Sequence, residues 1–255
     1  MPTELLEDGR VLAIRLGGSR GNILTTVLME EISAALSQHQ DRPALRMVFL
    51  RGQGGNFSYG ASVPEHVREL APAMLARFHA LVRQIATFPV PIACLVEGRC
   101  LGGAFELALA TQLCFATPGA RLGCPEIKLG VFPPVLAALG AWRLGAARAE
   151  RLILTGAEWS AAEAREAGLV AEIFASPDPE AELLAWYRAQ LAPLSAHALR
   201  KATQVFRRAS GLTEALATPL QAAEEAYLAD MRASHDSQEG INAFLEKRAP
   251  VWLDR

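Results

Sequence analysis

The first two thirds of the chain switch repeatedly between two apolar periods, and this switching limits the possible folds more than any other feature. Val11–Leu16 is a short apolar run interrupted only by Arg15, and reads as a strand. Residues 25–38 follow with Leu28, Ile32, Ala35 and Leu36 at helical spacing. Leu45–Leu50 reads as the next strand, and Pro72 can open a helix carrying Leu75, Phe78, Val82 and Ile85. Pro89 and Pro91 stop that helix, Ile92–Val96 is strand-like, and Gly102-Gly103 opens a short Ala- and Leu-rich helix. Leu113–Ala116 and Leu169–Phe174 complete the strand-like runs. Strands alternating with helices predict an α/β sheet with crossover helices.

The pattern changes at a junction marked by Pro177 and Pro179. Pro179–Leu191, Ala196–Arg208, Leu212–Met231 and Gln238–Lys247 all read as helices, with no strand among them. The expected organisation is therefore an α/β core over residues 1–177 and a helical region over 178–255, acting as a lid or an oligomerisation element.

A chain of 255 residues with 51% of its residues apolar can bury one large core. A charged fraction of 20% and a net charge of −2 argue against disorder and against a nucleic-acid coat. The N-terminal residues lack a basic stretch followed by an apolar run, and no stretch is long and apolar enough to span a bilayer. Cys94, Cys100, Cys114 and Cys124 form no CxxC pair and have no histidine nearby in sequence. They read as reduced, small apolar residues, and a cytoplasmic location is expected.

Two glycine loops invite a ligand. Gly52-Gln53-Gly54-Gly55 follows a strand, but a dinucleotide fingerprint needs glycine where Phe57 stands. These glycines read as a turn with positive φ. In the second loop, Gly102-Gly103 leads into a helix with Glu106 about one turn along. Paired glycines there either expose helix N–H groups to an anionic ligand or simply allow close packing beside a solvated glutamate. No GxSxG elbow is present, so a serine hydrolase is not expected, and His66 reads as a solvent-exposed loop histidine.

Four segments in order decide between these readings. Asn56-Phe57-Ser58-Tyr59-Gly60-Ala61-Ser62, the stretch from Gly98 to Ala108, Leu122-Gly123-Cys124-Pro125-Glu126-Ile127-Lys128-Leu129-Gly130, and the stretch from Glu239 to Pro250 each resemble a motif of the crotonase (enoyl-CoA hydratase/isomerase) family. The resemblance covers essentially the whole chain. It implies a spiral of ββα units followed by helices that build a homotrimer or a dimer of trimers. It also implies an acyl-CoA thioester substrate, with no metal, no nucleic acid and no cofactor beyond the coenzyme A of the substrate.

Carried over by position, the backbone N–H groups of Ala61 and Gly103 match the oxyanion hole, and Glu106 and Glu126 match the catalytic acid–base pair. Ser58, Tyr59, Gly60 and Gly102 belong to the substrate-binding loops of the same motifs. Phe132 is expected to line the acyl pocket with Tyr59, and Lys247, beside Arg248, to meet coenzyme A phosphates. The presence of both glutamates favours hydration over isomerisation, and the near-neutral charge speaks against a non-catalytic RNA-binding relative. Ser62, Ala104 and the Gly130–Ala137 segment depart from the family pattern, the last by placing Pro133-Pro134 where simple hydratases carry glycines. The Phe57–His66 loop and the Pro125–Phe132 stretch look more narrowly like cyclohexa-1,5-diene-1-carbonyl-CoA hydratases. A general enoyl-CoA hydratase or isomerase is the alternative.

Overall fold

The structure is a computed structural model and describes residues 2–255. In chain order the elements are β1 (Thr3–Leu6), β2 (Val11–Leu16), α1 (Thr26–His39), β3 (Met47–Gly52), α2 (Ala71–Thr87), β4 (Ile92–Val96), β5 (Arg99–Leu101), α3 (Gly103–Ala110), β6 (Leu113–Ala116) and β7 (Arg121–Gly123). Next come α4 (Pro134–Leu144), α5 (Ala146–Thr155), β8 (Glu158–Ser160), α6 (Ala161–Glu166) and β9 (Glu172–Ile173). The remainder is helical: α7 (Pro179–Gln190), α8 (Ala196–Ala209), α9 (Leu212–Ala215), α10 (Thr218–Ala233) and α11 (His235–Glu246).

The main sheet runs β1-β2-β3-β4-β6-β9, with β1 antiparallel to β2 and every other pair parallel. Period-two alternation divides its side chains between two cores. Leu12, Ile14, Val48, Leu50, Cys94 and Val96 face the helices of the larger core. Val11, Ala13, Met47, Phe49, Ala93 and Leu95 face the other way, beneath Leu183 and Tyr187 of α7. Both faces are covered, which is why these strands read as continuous apolar runs. Glu180 fixes α7 in place by accepting from Arg15 Nη2 at 2.5 Å and Arg51 Nη1 at 2.8 Å.

A smaller sheet, β5-β7-β8, lies alongside. Single bridges extend it, pairing Ser58 with Cys100 and Leu24 with Ala61. Each turn of chain thus adds one strand to the main sheet, one short extended piece to the second layer, and a helix. This is the expected ββα spiral, and its second layer carries the loops of the site.

Three expectations need correction. The 212–231 segment is not one helix: Pro219 sits in the first turn of α10, and α9 ends at Ala215. A proline has no N–H for a preceding turn, so a break falls before it. The strand expected over 169–174 shrinks to β9, because Leu169 and Val170 bond back to Ala164 at the end of α6. The last helix begins earlier, at His235, where the Ser234 side chain accepts from the N–H groups of Asp236 and Ser237.

Candidate active site

Two consecutive layers of the spiral place Ala61 and Gly103 side by side. The bridge to Leu24 is closed by the Leu24 N–H donating to Gly60 O at 2.9 Å and the Ser62 N–H donating to Leu24 O at 3.2 Å. In such a parallel bridge the N–H of the intervening residue, Ala61, points to the opposite side. Gly103 is the first residue of α3, so its N–H has no partner within the helix. A Cβ built on Gly103 would lie 3.5 Å from the Ala61 Cβ, so the two residues are in van der Waals contact. Neither N–H has a partner among the described residues. Two unpartnered N–H groups on touching residues, one of them at a helix N-terminus, are the kind of donors an oxyanion needs.

Glycine is required at two positions here. Gly60 has φ +98°, and a Cβ on it would meet Leu101 O at 2.6 Å. Gly102 has φ +54°, and a Cβ there would lie 2.8 Å from Glu126 Oε1. Both conformations are poorly tolerated by other residues. Ser58 is fully buried, and its Oγ accepts from the Gly60 N–H at 3.0 Å, holding the turn.

Glu106 is the fourth residue of α3 and only 3% exposed. Its Oε1 accepts from the Leu136 N–H at 2.8 Å, close to the N-terminus of α4. Pro133 and Pro134 make this possible. Pro134 opens α4 at the first helical position, where its missing N–H costs nothing, and the next N–H groups point at the carboxylate. Burial raises the Glu106 pKa to about 7, while the Leu136 and Val135 N–H groups pull it back. Glu126 opens a 3-10 turn at Glu126–Leu129, and its Oε2 is buried with no partner. Burial first, then the charge of Glu106, raises the Glu126 pKa to about 8. Glu106 is thus held by N–H groups at the start of a neighbouring helix, and Glu126 by its own N–H and the Cys124 thiol.

The cavity beside these groups holds about 470 Å³. Tyr59, Gly60, Ala61, Gly102, Gly103 and Glu126 border it, and Val63, Leu129, Val131, Ile241 and Phe244 supply an apolar wall. His66 is not the solvent-exposed loop residue expected from sequence. It lines this cavity, and its Nδ1–H donates to Ser62 O at 2.8 Å. Burial lowers its pKa, so the imidazole is held neutral. Phe132 lies behind the lining and packs edge-on against Tyr227 at 5.6 Å. Lys247 sits exposed at the C-terminal end of α11, outside the lining. Arg248 is tied to Glu239 and Glu246 at 2.5 and 2.6 Å.

Sequence reasoning missed several supporting residues. Buried Asn22 donates from Nδ2 to the carbonyls of Gln53, Asn56 and Phe57, clamping the loop that leads to Ala61. Glu65 accepts from both the N–H and the hydroxyl of Thr26, fixing the same loop to the start of α1. Tyr227, from the helical region, lies close enough to Glu126 and Glu106 for their charges to act on its hydroxyl.

The match to known proteins extends over nearly the full length. Residues 7–255 fit the enoyl-CoA hydratase/isomerase family. A cyclohexa-1,5-dienecarbonyl-CoA hydratase of Thauera aromatica is 41% identical over 251 residues, 98% of this chain and 96% of that one. A probable enoyl-CoA hydratase of Mycobacterium bovis is 34% identical over 97% of this chain and 96% of its own. Among solved structures, an enoyl-CoA hydratase of Mycobacterium avium subsp. paratuberculosis superposes with a TM-score of 0.84 at 29% identity, covering 99% of this chain and 98% of that one. The chain belongs to the enoyl-CoA hydratase/isomerase family.

Proposed function

We propose that the chain is a hydro-lyase that adds water to cyclohexa-1,5-diene-1-carbonyl-CoA, giving 6-hydroxycyclohex-1-ene-1-carbonyl-CoA, a step of anaerobic aromatic breakdown. The hydratase class rests on one observation: two buried glutamates of unequal acidity lie beside two free amides. Glu106, held by the start of α4, is the base, and Glu126 is the acid. Glu106 takes a proton from water as the oxygen bonds to the β-carbon. The electron pair of the double bond moves to the thioester oxygen, where the Ala61 and Gly103 N–H groups stabilise it. One such donor contributes on the order of 3–4 kcal/mol to the transition state.

In the cyclic diene the displaced charge also reaches the far end of the second double bond. Glu126 delivers its proton there, and the ring keeps one double bond conjugated to the thioester. The two glutamates end with their protonation exchanged, and one proton transfer restores them. Two features support the ring substrate. The relative that shares 41% of its residues carries that name, and Pro133-Pro134 build a stiff wall beside Glu106 where a flexible glycine segment would accommodate long chains. A rigidly held ring loses little freedom on the way to reaction.

The deciding experiment compares kcat/KM for the cyclic diene and for crotonyl-CoA. A preference of at least ~100-fold, about 2.7 kcal/mol, is expected. Equal or better turnover of crotonyl-CoA removes the ring assignment and leaves a general enoyl-CoA hydratase. The assembly is proposed to be a homotrimer or a dimer of trimers, located in the cytoplasm.

A further inference from the structure

One buried titratable group near the glutamates has no part in the chemistry described so far. Tyr227 belongs to α10, is 2% exposed, and has a hydroxyl with no hydrogen-bond partner among the described residues. Its ring packs on Phe132 at 67°, and Phe132 adjoins in sequence Val131 of the cavity wall and lies four residues before Leu136, whose N–H holds Glu106. Glu126 Oε2 is also buried and unpartnered. A donor and an acceptor are thus left unpaired in the same corner of the molecule. Burying either without a partner costs roughly 1–3 kcal/mol, so an arrangement that keeps both implies that a third group joins them.

The geometry of the reacting oxygen supplies that group. A water that attacks carbon uses one lone pair for the new bond and directs its protons to carboxyl oxygens. One lone pair remains, and it can only accept. Glu106, ionised, cannot donate to it, and Glu126 commits its single proton to carbon, whereas a phenol can donate and keep its proton. Burial and the charges of Glu126 and Glu106 all raise the Tyr227 pKa, so the phenol keeps its proton throughout.

We propose that Tyr227 is a third contact of the reacting oxygen, donating its O–H to the water during hydration and to the new hydroxyl of the product afterwards. This rests on the hydratase reading above. No bond to Tyr227 forms or breaks, and its proton stays in place. The recognised chemistry is a hydroxyl on the carbon β to the thioester, held on one face of the acyl group. The helical region would then take part in the reaction itself as well as covering the core.

The test is Tyr227→Phe, assayed in both directions with cyclohexa-1,5-diene-1-carbonyl-CoA and its hydrated product. Crotonyl-CoA and 3-hydroxybutanoyl-CoA serve as a second pair. The unsaturated thioester has no hydroxyl, so its KM should change less than about 2-fold while kcat falls ~10-fold, the scale of one lost hydrogen bond. The hydroxy thioester loses a ground-state contact, so its KM should rise ~10-fold. The equilibrium constant of the reaction requires both kcat/KM values to fall by the same factor, which checks the data internally. Removing an unpaired hydroxyl should leave Tm unchanged or higher. Parental kcat for hydration together with parental KM for the hydroxy thioester overturns the proposal, and so does an equal rise of both KM values at constant kcat, which would mark Tyr227 as packing alone. If the unsubstituted chain hydrates neither thioester, the hydratase reading fails first and takes this proposal with it.

Discussion

The N–H of Leu136 donates to Glu106 Oε1 at 2.8 Å, so this buried carboxylate is held by the start of a helix 30 residues further along the chain. That contact separates the two glutamates chemically. Both are raised by burial; the Leu136 and Val135 N–H groups pull Glu106 back, whereas Glu126 is pushed further by the charge of Glu106 and pulled back by its own N–H and the Cys124 thiol. The proposed division into base and acid rests on this difference in surroundings.

Replacing either glutamate by glutamine should lower kcat by at least ~10²-fold, the usual scale for loss of general acid–base catalysis. The two variants should differ in their remaining proton exchange. With the base intact, Glu126→Gln should still activate water but protonate carbon slowly. Glu106→Gln should abolish water activation. Steady-state hydration of the preferred thioester checks the first statement, and near-parental turnover by either variant removes the pair assignment. Exchange of solvent deuterium into the substrate checks the second.

The pH profile follows from the same two groups. The base must be ionised, so activity should fall as pH drops through about 7; the acid must be protonated, so activity should fall as pH rises through about 8. The expected kcat/KM curve is a narrow bell whose two limbs belong to the coupled pair. Titrating the rate from pH 5 to 10 tests it. A flat profile across pH 6–9 contradicts the assignment.

How much of this was legible in the sequence depended on the range of the interaction. Val11–Leu16, Ile92–Val96 and Leu113–Ala116 were readable to the residue, because a strand buried on both faces is a continuous apolar run. β1 was not, since it is a mostly exposed edge strand carrying Thr3-Glu4-Leu5-Leu6. The two glutamates and the glycine loops were legible through local motifs. The reason for Pro133-Pro134 was not, because its meaning lies in a hydrogen bond to Glu106, far away in sequence. Tyr227 was invisible for the same reason: within α10 it looks like any apolar helix position, and only the fold brings it to the glutamates.

Assembly gives a further expectation. α8 exposes Val205 at 62% and Phe206 at 64%, and Phe244, Leu245, Val251, Trp252 and Leu253 are exposed around the end of α11. Several large apolar side chains exposed on one helical region are the usual sign of a partner surface. Sedimentation equilibrium should give a mass that is a multiple of three subunits of 27.4 kDa. A stable, active monomer at micromolar concentration would falsify this assembly.

The last prediction concerns stability, and it runs opposite to the effect on activity. Glu126 has a pKa of about 8 in the folded chain, against roughly 4.3 when unfolded, so the folded state binds the extra proton across the interval between them. A carboxyl whose folded pKa is raised contributes its full share below the unfolded value and loses it as pH climbs through the folded one. The fold should therefore weaken between roughly pH 4.3 and about pH 8, because the unfolded chain releases this proton while the folded chain, with Oε2 buried and unpaired, keeps it. Glu126→Gln removes the titrating group and keeps the shape. It should match the parent near pH 5 and exceed it at pH 8.5 by at least ~2 °C in Tm, the shift produced by about 1 kcal/mol in a chain of this size. Thermal melts of both proteins at the two pH values decide the matter. An inactive variant that is more stable only in alkaline solution would show that the site holds its acid at the expense of the fold. Equal melting temperatures at pH 8.5 would mean that Glu126 ionises without penalty, and the acid role assigned to it would lose its physical basis.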